Sequence, residues 1–484
     1  MRPRFGSDQE SASCPLKPNL PSSALPARAF VTMIRDGLAG EDENLAQGPL
    51  PRAIPLLAIP MVLEMAMESL FAICDVFFVA KLGAASVAAV GLTESLVALV
   101  YAVAFGLAMP TGAMVARRIG EDDKDGASVA ASQAVWLAIF VGLLLATSAY
   151  FGPELLTLMG ADRDVLEVGV GFTTLTLLSA PIVTLIFVQG AVFRGAGDAT
   201  RAMRAVWLAN GINLVLDPCL IFGLGPFPEL GVTGAALATL IGRGIGVAYQ
   251  FAHLWRGPLV EIAKHWRFDV KVASQIGRLS IGGTVQHLVE TGSWVAMVRI
   301  VAELGSVAVA AYTITTRLIM FFLMPAWGFS NATATLVGQS LGAKDPKRAE
   351  RAVWLSGAYA SPFLFVVTVF FLAIPERVAG WFSSEPDVVA IAGAGLFVVA
   401  FGYVFYGWQM VTQQAFNGAG DTKTPAWINV GCFWGLQIPL AYLLAHPAGY
   451  GTVGIFASAA ISYTVAAGVG VMLVRRGRWK ATVV

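Results

Sequence analysis

The stretch Phe193–Thr200, FRGAGDAT, returns in altered form at Phe416–Lys423 as FNGAGDTK. Its glycines Gly195 and Gly418 lie 223 positions apart in a chain of 484 residues. Three other passages repeat at nearly the same distance: residues 82–96 match 304–318, residues 111–123 match 333–345, and residues 231–238 match 451–458. The sequence therefore indicates two similar halves that follow each other along the chain.

The repeated turn has a simple structural explanation. Its glycines permit the left-handed conformation that ends a helix, and Asp198 or Asp421 can cap the next helix. A phosphate-binding loop would need a preceding strand and a following Gly-Lys pair, which the sequence lacks. We therefore expect a link between two helices in each half.

Composition places the chain in a membrane. Hydrophobic residues make up 56% and charged residues 13%, and the mean hydropathy is +0.70. A soluble domain carries about 25% charged residues, so this chain cannot cover a water-facing surface. The net charge of +1 gives no reason to expect nucleic acid as a partner. The four cysteines are scattered, so we expect no metal, cofactor or disulfide framework.

Twelve apolar stretches are long enough to cross a bilayer, which takes about 20 residues as a helix. They cover roughly residues 53–79, 86–115, 127–151, 165–192, 202–223, 232–255, 273–300, 307–338, 350–374, 388–415, 425–445 and 450–474. Lys and Arg gather in every second turn and in both tails, which predicts that both termini are cytoplasmic in a cell (inner) membrane. The predicted fold class is an all-α integral membrane protein with twelve transmembrane helices in two pseudo-symmetric six-helix lobes.

The predicted organisation has three parts. Residues 1–50 are rich in Pro and Ser and form a disordered cytoplasmic tail, in which Met33 is an alternative start that N-terminal sequencing would test. Residues 51–260 form the N-lobe with helices one to six, and residues 261–484 form the C-lobe with helices seven to twelve and a short basic tail. Because six is even, the lobes share one orientation and are related by an axis along the membrane normal.

Ionisable side chains inside a membrane are costly and are therefore functional candidates. In the first predicted helix, Glu64, Glu68 and Asp75 are spaced four and seven residues apart, which puts them on one face. In the fifth, Asn213 and Asp217 are again four apart. These five residues are the candidate cation-coupling site.

The seventh predicted helix carries Gln286, His287 and Glu290 within about one turn. The repeat offset of 222 superposes Glu68 on Glu290. It superposes Glu64 on Gln286, so the first half is the more acidic one. We predict that this C-lobe group serves coupling or substrate binding, although a hydrogen-bonded helix residue explains His287 equally well.

Two arginines are predicted to lie near mid-membrane, Arg243 in the sixth helix and Arg317 in the eighth. Buried charges are usually paired. We therefore expect Arg243 to meet the acids of the first half and Arg317 to meet Glu290. The alternative is that both form static pairs that only hold helices together.

Several passages resemble the multidrug and toxic compound extrusion (MATE) transporters, and together they extend the resemblance over residues 50 to 475. They are PMVLEMAMESLFAICDVFFVAKLG at 60–83, GLTESL at 91–96, NLVLDPCLIFG at 213–223, AYTITTRLIMF at 311–321 and PAWGFSNATATLVGQSLGA at 325–343. The resemblance implies a V-shaped pair of lobes around a central cavity. It also implies export of organic cations and other amphipathic drugs against inflow of H⁺ or Na⁺.

The resemblance also assigns roles to individual residues. Asp75, Asn213 and Asp217 match an N-lobe cation network of one prokaryotic branch, and Glu290 matches a C-lobe carboxylate of another. Where that second branch has an acidic residue in the tenth helix, this chain has Tyr406, which favours proton coupling through the N-lobe. We expect a monomer in the lipid bilayer that is a transporter and not an enzyme.

Three other functions stay open at this point. A lipid-linked precursor flippase of the same superfamily would favour a basic cavity that holds pyrophosphate. A membrane-embedded prenyltransferase would need aspartate-rich Mg²⁺ motifs, which the acidic run Glu121–Asp123 does not supply. A passive channel would show no coupling between cargo and ion.

Overall fold

The structure is a computed structural model that describes residues 48–482. Within that range the regular elements are all helices. Most of the predicted N-terminal tail, Met33 included, lies outside the described residues, as do the last two residues of the chain.

The first half contains eight α-helices, seven of which lie in the six predicted spans, since Arg163–Leu178 and Ala180–Ala196 share one span. They are α1 Leu50–Ala80, α2 Ala84–Gly120, α3 Lys124–Ala146, α4 Gly152–Leu158, α5 Arg163–Leu178, α6 Ala180–Ala196, α7 Ala199–Phe222 and α8 Val232–Trp255. The second half contains α9 Val270–Ala302, α10 Ser306–Gly342, α11 Pro346–Ala373, α12 Pro375–Ala379, α13 Pro386–Gly418, α14 Lys423–Asn429, α15 Ile438–Ala445 and α16 Gly451–Arg476. A π-helical segment, Val430–Gln437, joins α14 to α15.

The helices account for the twelve predicted spans. Ten helical segments of the described chain are long and apolar enough to cross a membrane, and the bent pair α5 and α6, with a 42° bend, forms an eleventh. The helix α9 takes the seventh place. Its 33 residues suffice in length, but it is less apolar because it carries polar side chains that include Gln286, His287 and Glu290.

The repeated turn has the structure that its residues predict. Gly197 and Gly420 adopt left-handed φ values of 95° and 85°. The Asp198 side chain accepts a hydrogen bond from the backbone N–H of Arg201 at 3.1 Å. Asp421 accepts one from the backbone N–H of Thr424 at 3.0 Å. The prediction of a helix stop followed by a helix cap is confirmed in both halves.

The two halves cross where α2 meets α10, near the ends of both helices. A Cβ atom on Gly120 would lie 2.0 Å from the carbonyl oxygen of Gln339, and one on Gly342 would lie 2.1 Å from that of Arg117. These two contacts are exchanged by the repeat offset of 222. The crossing therefore surrounds the pseudo-two-fold axis, and only glycine lets the backbones approach so closely.

Both ends of the described chain contact the opposite half at this crossing. Arg117 in α2 donates a hydrogen bond to the carbonyl of Thr482 at 2.5 Å. Arg348 in α11 donates one to the carbonyl of Gly48 at 2.6 Å. Trp479, just after α16, is only 2% exposed. We call this side of the molecule, which holds both chain ends and the α2–α10 crossing, the terminal face.

The linker between the halves, residues 256–269, is fastened to α3. The Gln133 side chain donates to the carbonyl of Arg267 at 2.8 Å and accepts from the backbone N–H of Asp269 at 2.9 Å. Trp136 donates to the carbonyl of Trp266 at 3.2 Å. The linker thus lies along the first lobe, and the predicted boundary at residues 260 and 261 falls within it.

Candidate functional site

A cavity of about 410 Å³ lies between the two lobes. Helices of both halves line it, so it forms only when the lobes are assembled. Its charged or titratable side chains are Glu64, Glu68, Arg194, Arg243 and His287. Its other lining residues include Met61, Met65, Tyr101, Phe105, Phe187, Met324, Trp327, Asn331, Gln414 and Asn417. The surface is therefore largely apolar and aromatic, with a few charges at defined places, as in small-molecule sites generally.

The direct ion pair in this cavity joins Glu64 of α1 to Arg194 of α6. The distance from Arg194 Nη1 to Glu64 Oε1 is 2.9 Å, and the side chains are 20% and 7% exposed. The sequence analysis did not single out Arg194, because an arginine beside a turn is usually a surface charge. Its partner Glu64 lies 130 positions away in the sequence, so no local pattern signals the pair.

Arg243 of α8 does not form the predicted ion pair. It donates a hydrogen bond to the Tyr101 hydroxyl at 2.6 Å, and its guanidinium lies 5.7 Å from the centre of that ring. Glu68 and Asp75 are near enough to interact with its charge. Within residues 48–482, however, no carboxylate comes within 4 Å of it. The prediction is corrected: Arg243 interacts with the acids of the first half across a gap, and its direct partner is the Tyr101 hydroxyl.

Asp75, Asn213 and Asp217 come together inside the N-lobe. The Asn213 amide and the Thr239 hydroxyl are 2.9 Å apart. With its amide nitrogen turned toward Asp217 of the same helix, Asn213 donates to Asp217 Oδ2 at 2.6 Å and its amide oxygen accepts from the Thr239 N–H at 2.9 Å. Asp75 is close enough to interact with the Asp217 charge. Thr239, on α8, is a member of this network that the sequence analysis missed, since a threonine in an apolar helix gives no distinct signal.

The network is separate from the cavity surface. Asp217 and Asn213 are 0% and 2% exposed, and neither they nor Asp75 line the cavity. Of the acids on α1, Glu64 and Glu68 face the cavity, whereas Asp75 lies about two turns further along. Arg243 connects the two places, because it lines the cavity and interacts with both Glu68 and Asp75.

The C-lobe group on α9 is divided between two environments. His287 lines the cavity, with its ring 4.8 Å from that of Phe105. Gln286 is fully buried and faces away from it. Glu290 lies near the neutral phenol groups of Tyr406 and Tyr463, whose rings stack 3.9 Å apart. The three residues share one turn of sequence but do not form one site.

The predicted pair of Arg317 with Glu290 is wrong. In the described part of the chain, neither side chain has an ion-pair partner within 4 Å, and the charge that interacts with Arg317 is Glu94 of α2. Both Glu94 and Arg317 are exposed. Arg317 lies about three turns into α10, on the side of Glu94 of α2 and not of α9.

Fold and cavity define a multi-pass membrane protein with two lobes and a shared central cavity. The profile of the family described as MatE matches residues 60–219 and again residues 284–443. The two matches fall on the two halves of the repeat. The chain belongs to the MatE family, the multidrug and toxic compound efflux transporters.

Relatives and solved structures agree with this assignment. The chain is 23% identical to "Probable multidrug resistance protein YoeA" of Bacillus subtilis over 434 residues. This alignment covers 87% of this chain and 92% of that protein. It is 27% identical over 406 residues to an "FAD transporter" of Shewanella oneidensis, covering 83% and 89%. A structure described as the outward-facing conformation of a multidrug resistance MATE family transporter superposes with a TM-score of 0.85 at 28% identity, covering 91% and 98%.

Proposed function

We propose that this protein exports organic cations and other amphipathic drugs in exchange for protons. It spans the inner membrane, with both termini on the cytoplasmic side. The observation that carries the proposal is the buried hydrogen bond of Asp217 with Asn213, close to Asp75 and linked through Arg243 to a cavity that holds Glu64 and Glu68. The aromatic walls of the cavity suit flat apolar cargo. Its carboxylates suit a positive charge on that cargo.

Proton binding acts through charge in this mechanism. Two carboxyl groups close together in a poorly hydrated place favour uptake of a shared proton. Protonation of the Asp75–Asp217 pair removes negative charge near Arg243. The Arg243 guanidinium is then attracted chiefly to Glu68, a carboxylate of the cavity wall. Glu68 becomes less available to a cationic cargo, and the cargo dissociates.

The same linkage makes the exchange reciprocal. If a proton on the network weakens cargo binding, bound cargo must weaken proton binding by the same factor. Cargo that enters from the cytoplasm therefore expels the proton to that side. In the outward-open state the next proton expels the cargo.

Transport by the purified full chain in proteoliposomes tests the proposal, with H⁺ and Na⁺ gradients applied separately. We expect export of a cationic dye that follows the proton gradient, and dye-driven proton release that Asp75→Asn abolishes. Asp387→Asn is the matched control, since Asp387 is an exposed carboxylate in the first turn of α13. Antiport that persists in Asp75→Asn, or that follows only the sodium gradient, contradicts the proposed coupling.

The alternative of a lipid-linked precursor flippase has weaker support. A pyrophosphate site needs several basic side chains that converge without acidic neighbours. In this cavity Arg194 is paired with Glu64, and Arg243 is bonded to Tyr101 beside Glu68. The enzyme and channel alternatives gain nothing from the geometry.

A further inference from the structure

The Glu64–Arg194 pair differs in kind from the other polar contacts of the cavity. It joins opposite full charges at 2.9 Å in a place where both side chains are mostly withdrawn from water. The second carboxylate oxygen, Glu64 Oε2, is buried and has no hydrogen-bond partner among the described residues. Glu64 therefore keeps an acceptor that Arg194 does not use.

The fold does not require this ion pair. The repeat places Arg194 on Asn417 and Glu64 on Gln286, so the corresponding positions of the C-lobe carry amides. Asn417 lies in the same turn and donates to Gln414 Oε1 at 3.0 Å. Since the turn folds with an asparagine in one half, the arginine in the other half serves a purpose beyond closing the turn.

The backbone around Arg194 is held from the opposite lobe. Thr335 of α10 donates to the carbonyl of Arg194 at 3.0 Å, and Gln339 donates to the carbonyl of Gly195 at 3.1 Å. The chain is thus fixed at the seam between the lobes. The long side chain, by contrast, reaches from this fixed point into the cavity and has rotatable bonds with which to leave Glu64.

We propose that Arg194 is a specificity-determining residue: an internal cation that occupies Glu64 while the cavity is empty and that a cationic cargo must displace. One carboxylate cannot neutralise two cations in a poorly hydrated site, so the guest and Arg194 compete for it. Cargo without a positive charge cannot release Arg194. The inference rests on the proposed function, because it concerns cationic cargo at the same cavity.

The test is binding of tetraphenylphosphonium, a permanent aromatic cation, to the full chain in lipid nanodiscs by isothermal titration calorimetry. The variants are Arg194→Gln, Glu64→Gln and the double variant. We expect Arg194→Gln to bind the cation at least about fivefold more tightly, the lower end of typical coupling between two ligands. Glu64→Gln binds it more weakly, and the double variant matches Glu64→Gln, because without Glu64 there is nothing to compete for.

The matched control is Arg201→Gln. Arg201 lies in the same turn and pairs with Asp198 at 2.5 Å, but it does not line the central cavity. Its removal should leave cation binding as in the wild type. Tighter binding in this variant as well would overturn the inference, since the effect would then follow net charge and not the competition at Glu64.

The outcomes separate this inference from the proposed function. If the wild type binds no organic cation, the cationic cargo and the inference both fail. If the wild type binds the cation and Arg194→Gln binds it equally or less tightly, only the inference fails. Loss of Arg194 can destabilise the fold by leaving Glu64 unpaired. In that event the double variant, whose amides copy the C-lobe, must bind no more tightly than Glu64→Gln, and tighter binding overturns the inference.

Discussion

Two carboxylates one helical turn apart on α1 have different cationic neighbours. Glu64 is paired directly with Arg194, whereas Glu68 faces Arg243 across a gap. The sequence identified both acids, because a spacing of four on an apolar helix is visible in one dimension. It could not identify the partners, since pairing depends on the depth and rotation of helices that are distant in sequence.

Thr239 offers a test of the buried network at the level of one hydroxyl group. Thr239→Val keeps the shape but removes the group that orients the Asn213 amide. A buried hydrogen bond of this kind is worth about 1 kcal/mol. We therefore expect a melting temperature lowered by only about 1 °C in a chain of this length, and proton release per cargo reduced severalfold, with cargo affinity little changed. Fluorescence-monitored melting and proteoliposome assays measure these quantities.

Thr239→Ser is the control for this prediction, because it retains the hydroxyl and should retain coupling. Wild-type coupling in both the valine and the serine variant would show that the Thr239 hydroxyl does not position Asn213. A loss in both would point to packing of the threonine methyl group.

The helices themselves were largely predictable. Each predicted span begins and ends within a few residues of a helix, because lipid-length apolar runs must satisfy their backbone groups internally. The break at Ser179, between α5 and α6, comes just before Pro181, whose missing backbone N–H cannot continue a helix. The π-helical segment Val430–Gln437 likewise ends two residues before Pro439, but its π geometry was not predicted.

The crossing of α2 and α10 gives a prediction at this scale. Gly342→Leu would place a side chain against the Arg117 backbone, where even a Cβ atom would lie 2.1 Å from the carbonyl oxygen. We expect the lobes to separate on the terminal face and the inward-open state to become populated. Spin-label distances across the terminal face, measured by double electron–electron resonance, should lengthen and broaden.

Gly468→Leu is the control for the crossing. Gly468 lies in α16, with no neighbouring atom within 4 Å of an added Cβ. It should leave the distance distribution unchanged. Wild-type distances in Gly342→Leu would mean that the crossing tolerates the side chain by local adjustment and does not set the closure of the terminal face.

At the scale of the molecule, two halves with one fold carry different chemistry. The repeat predicted the shared architecture, and the exchanged contacts of Gly120 and Gly342 agree with it. The division of charge was predicted in part, from the extra acids of the first half. The positions of Asp75 and Glu290 away from the cavity surface were not predictable, since a helical face shows direction but not what lies opposite.

The chain ends provide a prediction for the whole assembly. Removal of residues 477–484 deletes the contact of Thr482 with Arg117 and the buried Trp479. Hydrogen bonds to charged groups contribute about 1.5–3 kcal/mol, so the terminal face should open at least about tenfold more often. Labelling rates of a cysteine introduced at Ala116, beneath the crossing, measure that opening.

A chain that lacks only Val483 and Val484 is the matched control and should label at the wild-type rate. If the longer truncation also labels at that rate, the C-terminal segment rests on the closed face without contributing to its closure.

The fastening of the linker to α3 has a mechanical consequence. The Gln133 side chain accepts a hydrogen bond from the backbone N–H of Asp269. The Asp269 carboxylate caps α9 by accepting one from the N–H of Lys271 at 2.8 Å. Asp269 is thus bonded to the first lobe through its backbone and to the second lobe through its side chain. The end of the linker is therefore a rigid connection and not a flexible tether. We expect relative motion of the lobes to have its hinge at Asp269, so that the position of this residue sets the range of the motion.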